Sequence, residues 1–79
     1  MQSVNPLDEA AFTELYVQHV DAVYRICYSF LKNRTDAEDA VQETFLRLMQ
    51  SQKTLENDAH LRGWLVVTAS NVCKNMLHS

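Results

Sequence analysis

The segment Thr35–Gln50 constrains the fold most strongly, because its apolar side chains recur with the spacing of a helix. At about 100° per residue, they gather on one broad face while charged and amide side chains occupy the other. Thr35 precedes Glu38 by three residues, the spacing of a capping box, so we expect the helix to begin here. The predicted inward face comprises Ala37, Ala40, Val41, Thr44, Phe45, Leu48 and Met49.

Leu46 departs from this pattern, because it falls in the middle of the polar face. An exposed aliphatic side chain ringed by carboxylates and an amide is typical of a docking surface for a partner protein. Single exposed leucines are also common on ordinary protein surfaces. The helix alone therefore leaves both interpretations open.

The scarcity of turn residues favours a few long elements, since the chain has one Gly and one Pro in 79 residues. Asn5-Pro6 is a good helix start, and Asn33 suits the position just after the first helix. Asn57 or Asp58 can cap a third helix. We expect an all-α domain, a compact three-helix bundle with helices at about 6–31, 36–50 and 58–77. Residues 1–79 would form one domain, with 1–4 disordered and 51–57 a recognition loop.

Helical spacing also predicts the inward faces of the first and third helices. His19 lies beside the first of these faces, and we expect it to be partly buried or solvated rather than a ligand. The first face comprises Phe12, Leu15, Tyr16, Val20, Val23, Ile26, Cys27 and Phe30. The third helix would direct Leu61, Leu65, Thr68, Ala69, Val72 and Met76 inward.

The two cysteines, Cys27 and Cys73, lie in apolar periodic segments far apart in sequence. We expect buried, reduced thiols in an intracellular protein rather than a disulfide. No metal-ligand spacing such as CxxC or HExxH occurs, so we expect neither metal nor cofactor. The chain has no signal segment and no apolar run near 18 residues, which favours a cytoplasmic protein without membrane contact.

Charge is unevenly distributed along the chain, whose net charge is −3. Residues 1–50 hold eight acidic and four basic side chains, whereas residues 51–79 hold two acidic and three basic ones. Lys and Arg contacts to phosphate supply most of the affinity for duplex DNA. We therefore expect no tight duplex binding by the chain alone.

The third helix carries a second line of side chains along the edge of its inward face. Trp64, Thr68, Asn71 and Asn75 follow one another at +4, +3 and +4, and Lys74 stands beside them. An aromatic ring, a hydroxyl, amides and a cation suit contacts to bases and phosphates. Trp64 is nevertheless more commonly a core residue than a stacking platform.

The chain resembles the region 2 domain of sigma-70-family RNA polymerase sigma factors, of the small extracytoplasmic-function (ECF) type. The signature is AED-x-x-QE-x-F-x-R, followed by WL and by Asn71, seven residues after Trp64. The similar stretches are FTELYVQHVDAVYRICYSFL, DAEDAVQETFLRLMQ and HLRGWLVVTASNVCKNMLHS, which together extend from about Phe12 to Ser79.

The resemblance implies a transcription initiation factor domain without catalysis. Its helix Asp36–Gln50 would dock on the clamp helices of the largest catalytic subunit of core RNA polymerase, through Asp39, Gln42, Glu43, Leu46 and Met49. The loop and third helix would recognise and melt the promoter minus-ten element, mainly on the non-template single strand. The DNA-binding positions would be Lys53, Leu55, Asn57, Arg62, Trp64, Thr68, Asn71 and Lys74. An anti-sigma factor is the further partner implied.

A helical module that binds only protein, such as an anti-sigma factor or an adaptor, remains the alternative. An enzyme is the weakest hypothesis, because the sequence has no nucleophile–base constellation and no Gly-rich phosphate loop. Because the sequence ends inside a predicted helix and lacks region 4, we expect a domain excised from a longer sigma factor.

Overall fold

The computed structural model describes residues 9–51 and 58–78, which form three α-helices. α1 spans Glu9–Leu31, α2 spans Arg34–Ser51 and α3 spans Asp58–His78. Each helix packs against both of the others. The prediction of an all-α, three-helix architecture is confirmed. The predicted helix start at Asn5-Pro6 lies outside the described residues.

The chain reverses direction between α1 and α2 through two residues. Lys32 adopts a left-handed conformation with φ of 56°, and its N–H donates to the Tyr28 carbonyl at 2.8 Å, which closes the end of α1. The Asn33 side-chain oxygen accepts a hydrogen bond from the Asp36 N–H at 2.9 Å. The Asn33 carbonyl accepts the first bond of α2, from Ala37 at 2.9 Å. Asn33 is therefore the N-cap of α2.

Two predictions about this turn were wrong. Thr35 lies inside the first turn of α2, and Glu38 pairs with the Arg34 guanidinium at 3.2 Å instead of closing a capping box. Lys32, rather than Asn33, takes the left-handed position after α1. An Asn caps a helix at least as well as a Thr, so capping at Asn33 is favourable and lets α2 begin two residues earlier than predicted.

The core forms where the three helices meet, and one face of α2 packs against both α1 and α3. Ala37 and Ala40 are fully buried, and such small side chains let the neighbouring helices approach closely. The buried hydroxyl of Thr44 donates to the Ala40 carbonyl at 2.8 Å, so this hydroxyl is satisfied within the core. His19 is 8% exposed, more deeply buried than predicted. The buried apolar residues are Val23, Cys27, Ala37, Ala40, Val41, Phe45, Leu48, Leu61, Leu65, Ala69, Val72 and Cys73.

The two cysteines meet in this core, across the contact between α1 and α3. Both are buried free thiols, as predicted, and a hydrogen bond joins them. Burial raises the pKa of Cys27 to about 12, and Cys73 adds to the shift through its hydrogen bond and its charge. Burial likewise raises the pKa of Cys73, against a smaller lowering by its hydrogen bond to Cys27.

The cap assignment predicts different costs for two neighbouring substitutions. Asn33→Ala should lower the free energy of unfolding by about 1 kcal/mol, because the Asp36 N–H loses its acceptor. Thr35→Ala should change it by less than about 0.5 kcal/mol, because Thr35 is exposed and does not cap. Urea unfolding of both variants measures the difference. A larger loss of unfolding free energy for Thr35→Ala than for Asn33→Ala would support the capping box and contradict the cap assignment.

The buried thiols predict a loss of stability in alkaline solution. Between the ordinary thiol pKa of 9.0 and about 12, the unfolded chain releases the Cys27 proton while the folded chain keeps it. Stability is therefore unaffected by this thiol below pH 9 and falls as the pH rises through that window. Thermal melts from pH 8 upward should decline less steeply for Cys27→Ala than for the parent chain. Equal slopes would contradict the prediction.

Candidate functional site

The face of α2 opposite the core forms an exposed ridge made by Asp39, Gln42, Glu43 and Leu46. We call it the α2 ridge. Leu46 is 49% exposed, which confirms that a large aliphatic side chain stands on the polar face. Met49, the fifth predicted polymerase-binding residue, is half-buried at its edge. The structure thus brings all five predicted side chains together along one side of α2.

The α2 ridge is negatively charged, because it carries the carboxylates of Asp39 and Glu43. Glu43 pairs with the Arg47 guanidinium at 3.1 Å, one turn further along the helix. Both partners are partly exposed, so this pair contributes little to stability and can exchange partners readily. Within the described helices no ion pair involves Asp39. The ridge therefore favours a basic partner and disfavours DNA phosphates.

An apolar depression of about 260 Å³ lies beside the α2 ridge, between α2 and the start of α1. Leu46 and Met49 form its α2 wall, and Phe12 and Tyr16 form its α1 wall. Phe45 forms the floor, with its ring centroid 4.8 Å from that of Tyr16. Tyr16 is 37% exposed, although its spacing predicted a core position. The α1 wall is the part of the surface that sequence reasoning missed.

A second groove, of about 410 Å³, runs on the other side of the α2 ridge, between α2 and α3. Asp39, Glu43 and Arg47 line it from α2, and Asn75 and Met76 line it from α3. Asn75 belongs to the predicted nucleic-acid line of α3. The ridge and that line therefore meet across this groove.

The described part of α3 carries four of the predicted DNA-binding residues on one side. Trp64 and Thr68 are half-buried, whereas Asn71 and Lys74 are exposed. Trp64 packs against the core cluster, as expected for its residue type, and keeps part of its surface open. Val67, 60% exposed, lies between them and adds apolar surface. The outer side of α3 thus presents an amide, a cation and an aromatic edge.

The other predicted DNA-binding residues do not join this surface. Arg62 is exposed, but it precedes Asn71 by nine residues, which places the two on roughly opposite sides of a helix. Lys53, Leu55 and Asn57 lie outside the described residues.

Metal binding and membrane insertion find no support in residues 9–51 and 58–78. No group of three or more His, Cys, Asp or Glu side chains in these ranges could hold a metal ion. None of the helices described there is long and apolar enough to cross a bilayer.

The sequence profile described as Sigma-70 region 2 matches residues 15–79. This match covers most of the chain, including all of α2 and α3 and the greater part of α1. The chain therefore belongs to the sigma-70 region 2 family.

The chain is also similar to curated ECF RNA polymerase sigma factors. The chain is 38% identical to ECF RNA polymerase sigma factor SigE of Mycolicibacterium smegmatis, over 89% of its own length and 28% of that protein. It is 29% identical to ECF RNA polymerase sigma factor SigW of Bacillus subtilis, over 91% of its length and 38% of that protein. With ECF RNA polymerase sigma factor BldN of Streptomyces coelicolor the identity is 40%, over 78% of the chain and 24% of the relative.

The chain thus spans between 24% and 38% of the length of these relatives. No solved structure is similar enough to count as a match.

Proposed function

We propose that the chain is a transcription-initiation module that docks on core RNA polymerase through the α2 ridge and contacts unpaired promoter bases through α3. The observation that carries the proposal is the exposure of two chemically different surfaces on one small bundle. Leu46 stands amid carboxylates on α2, and Asn71 and Lys74 stand on the outer side of α3. Membership of the sigma-70 region 2 family supports the same division of labour.

Docking on the α2 ridge is consistent with its mixed chemistry. Burial of Leu46 against an apolar partner surface supplies affinity, and the surrounding carboxylates supply orientation and attract basic groups. We place the contact on the clamp helices of the largest catalytic subunit, through Asp39, Gln42, Glu43 and Met49 together with Leu46.

Promoter contact through α3 is weak on its own, because the chain has a net charge of −3. Docking on polymerase raises the local concentration of α3 at the promoter, so that a few base contacts suffice. The Asn71 amide offers a donor and an acceptor to a base edge, and Trp64 offers an aromatic surface for stacking. Preference for unstacked over paired bases would shift the promoter towards its open form.

The alternative hypothesis differs from this proposal because it includes protein binding but no DNA binding. A helical module that binds an anti-sigma factor or an adaptor uses the same α2 ridge and needs no DNA surface. It predicts no sequence-dependent DNA contact even when polymerase is present. Neither proposal includes catalysis, a cofactor or a metal.

Docking predicts a strong effect of charge at one exposed leucine. Leu46→Asp should weaken binding to bacterial core RNA polymerase about tenfold or more, the scale of an interface hot spot. Gln42→Ala should weaken it about threefold through the loss of one polar contact. Fluorescence anisotropy of the labelled chain measures both affinities.

Leu77→Asp provides a matched control, because Leu77 is 56% exposed on α3 and lines neither of the depressions that flank the α2 ridge. It should leave the affinity within twofold of the parent value. Thermal melts of the three variants check that each remains folded. Unchanged affinity for Leu46→Asp and Gln42→Ala would remove the docking proposal.

A contact between the Asn71 amide and a promoter base predicts that substitution of Asn71 weakens DNA binding in a sequence-dependent way. In the complex with core polymerase, Asn71→Ala should weaken binding to a minus-ten single strand about tenfold and to an unrelated strand of equal length much less. Lys74→Ala should weaken binding to both strands equally, because a phosphate contact carries no sequence information. Equal losses on both strands for Asn71→Ala would mean that this amide makes no base contact.

A further inference from the structure

Val67 is the most exposed of the large apolar side chains described on α3, at 60%. It belongs neither to the buried core cluster nor to the partly buried side chains that pack against that cluster. A β-branched residue is also a poorer helix former than Ala, Lys or Glu. Neither core packing nor helix propensity therefore accounts for a valine at this position.

Val67 lies between the two side chains that the proposed function assigns to base contact. Trp64 precedes it by three residues, and Asn71 follows it by four. Residues three and four apart on a helix are surface neighbours, with Cβ atoms about 5–6 Å apart. Val67 therefore belongs to the same strip of surface as the aromatic edge and the amide. A DNA strand that contacts both of them passes over Val67.

The surface around Val67 is open. Gly63 lies one turn before it, and beyond its own stretch of helix no atom of the described chain stands within 4 Å of the position that a Cβ would take there. Asn71 and Lys74, on the other side of Val67, are both exposed. A base next to the one at Asn71 can therefore reach the two methyl groups of Val67.

The chemistry of Val67 favours one group on the DNA bases. Its side chain has no hydrogen-bonding atom, so it cannot distinguish bases by their donors and acceptors. Thymine carries a methyl group at C5, and apolar side chains recognise thymine through contact with that methyl group. The C5-methyl group of thymine is therefore the base feature that an exposed valine fits best.

We propose that Val67 is a specificity-determining residue, which contacts the C5-methyl group of a thymine adjacent to the base that Asn71 contacts in the unpaired minus-ten strand. This inference rests on the proposed function, because it adds a base preference to the promoter surface of α3. The valine and the amide together select two neighbouring bases. Lys74 contributes a phosphate contact without sequence preference.

Replacing thymine by uracil tests the proposal, because the two bases differ only in the C5-methyl group. The probes are a labelled minus-ten single strand and copies in which one thymine at a time is replaced by deoxyuridine. Fluorescence anisotropy measures their affinities for the chain in complex with bacterial core RNA polymerase. One replacement should weaken binding by the parent chain about fourfold, the effect of one buried methyl group. Val67→Ala should bind the thymine strand about fourfold more weakly than the parent and should bind that uracil copy equally well.

Val66→Ala is the matched control, because it makes the same change at the neighbouring residue. Val66 is 41% exposed and precedes Asn71 by five residues, which places it about 140° away around the helix. This variant should keep the preference of the parent chain for thymine. Thermal melts of both valine variants check that each remains folded. Loss of the preference in Val66→Ala as well would overturn the assignment to Val67.

Asn71→Ala on the same strands separates this inference from the proposed function. A sequence-dependent loss for Asn71→Ala, with no preference of the parent chain for thymine over uracil at any position, would overturn the Val67 proposal and leave promoter contact in place. Retention of the thymine preference by Val67→Ala would do the same. Equal losses on all strands for Asn71→Ala, together with no thymine preference, would overturn both. The expected result is a thymine preference that Val67→Ala loses and Val66→Ala keeps.

Discussion

Burial of one face of α2 between α1 and α3 is the constraint on which the rest of the structure depends. Ala37, Ala40 and Leu48 are fully buried, so α2 contacts its neighbours closely along much of its length. Burial of a leucine side chain such as that of Leu48 contributes about 1.5 to 3 kcal/mol relative to exposure. A helix held so firmly on one face has only its opposite face to offer to a partner. The position of Leu46 on that opposite face follows directly from the 3.6-residue period that buries Phe45 and Leu48.

The same constraint separates the two candidate surfaces. Because α2 packs against both α1 and α3, grooves form on both sides of the α2 ridge. The groove towards α1 is partly apolar and continues onto Tyr16, whereas the groove towards α3 leads to Asn75 and the outer side of α3. A rigid bundle of this kind can fix the distance and angle between a protein partner and a DNA strand. In the proposed function, that fixed geometry lets docking place α3 at unpaired bases.

Periodicity made the helices and the inward face of α2 predictable, because burial of a helix follows its 3.6-residue repeat. The N-cap of α2 was not predictable, because Asn33 and Thr35 both suit that position. Their capping free energies differ by less than the free-energy differences between conformations of the turn around them. The exposure of Tyr16 depends on how closely α1 approaches α2, which no local pattern encodes. The separation of Arg62 from Asn71 could have been found by counting residues around the helix. The resemblance to the sigma family instead led us to place Arg62 and Asn71 in one DNA-binding surface.

The central claim is that α2 faces polymerase while α3 faces promoter DNA, and site-specific photo-crosslinking in an open promoter complex tests it most directly. A photoreactive amino acid is placed at Gln42 in one sample and at Asn71 in another, since both positions are exposed and substitution there should leave the fold intact. Gln42 should crosslink to the largest polymerase subunit and Asn71 to the non-template strand near the minus-ten element. Crosslinks from Asn71 to protein alone, or from Gln42 to DNA, would contradict the claim.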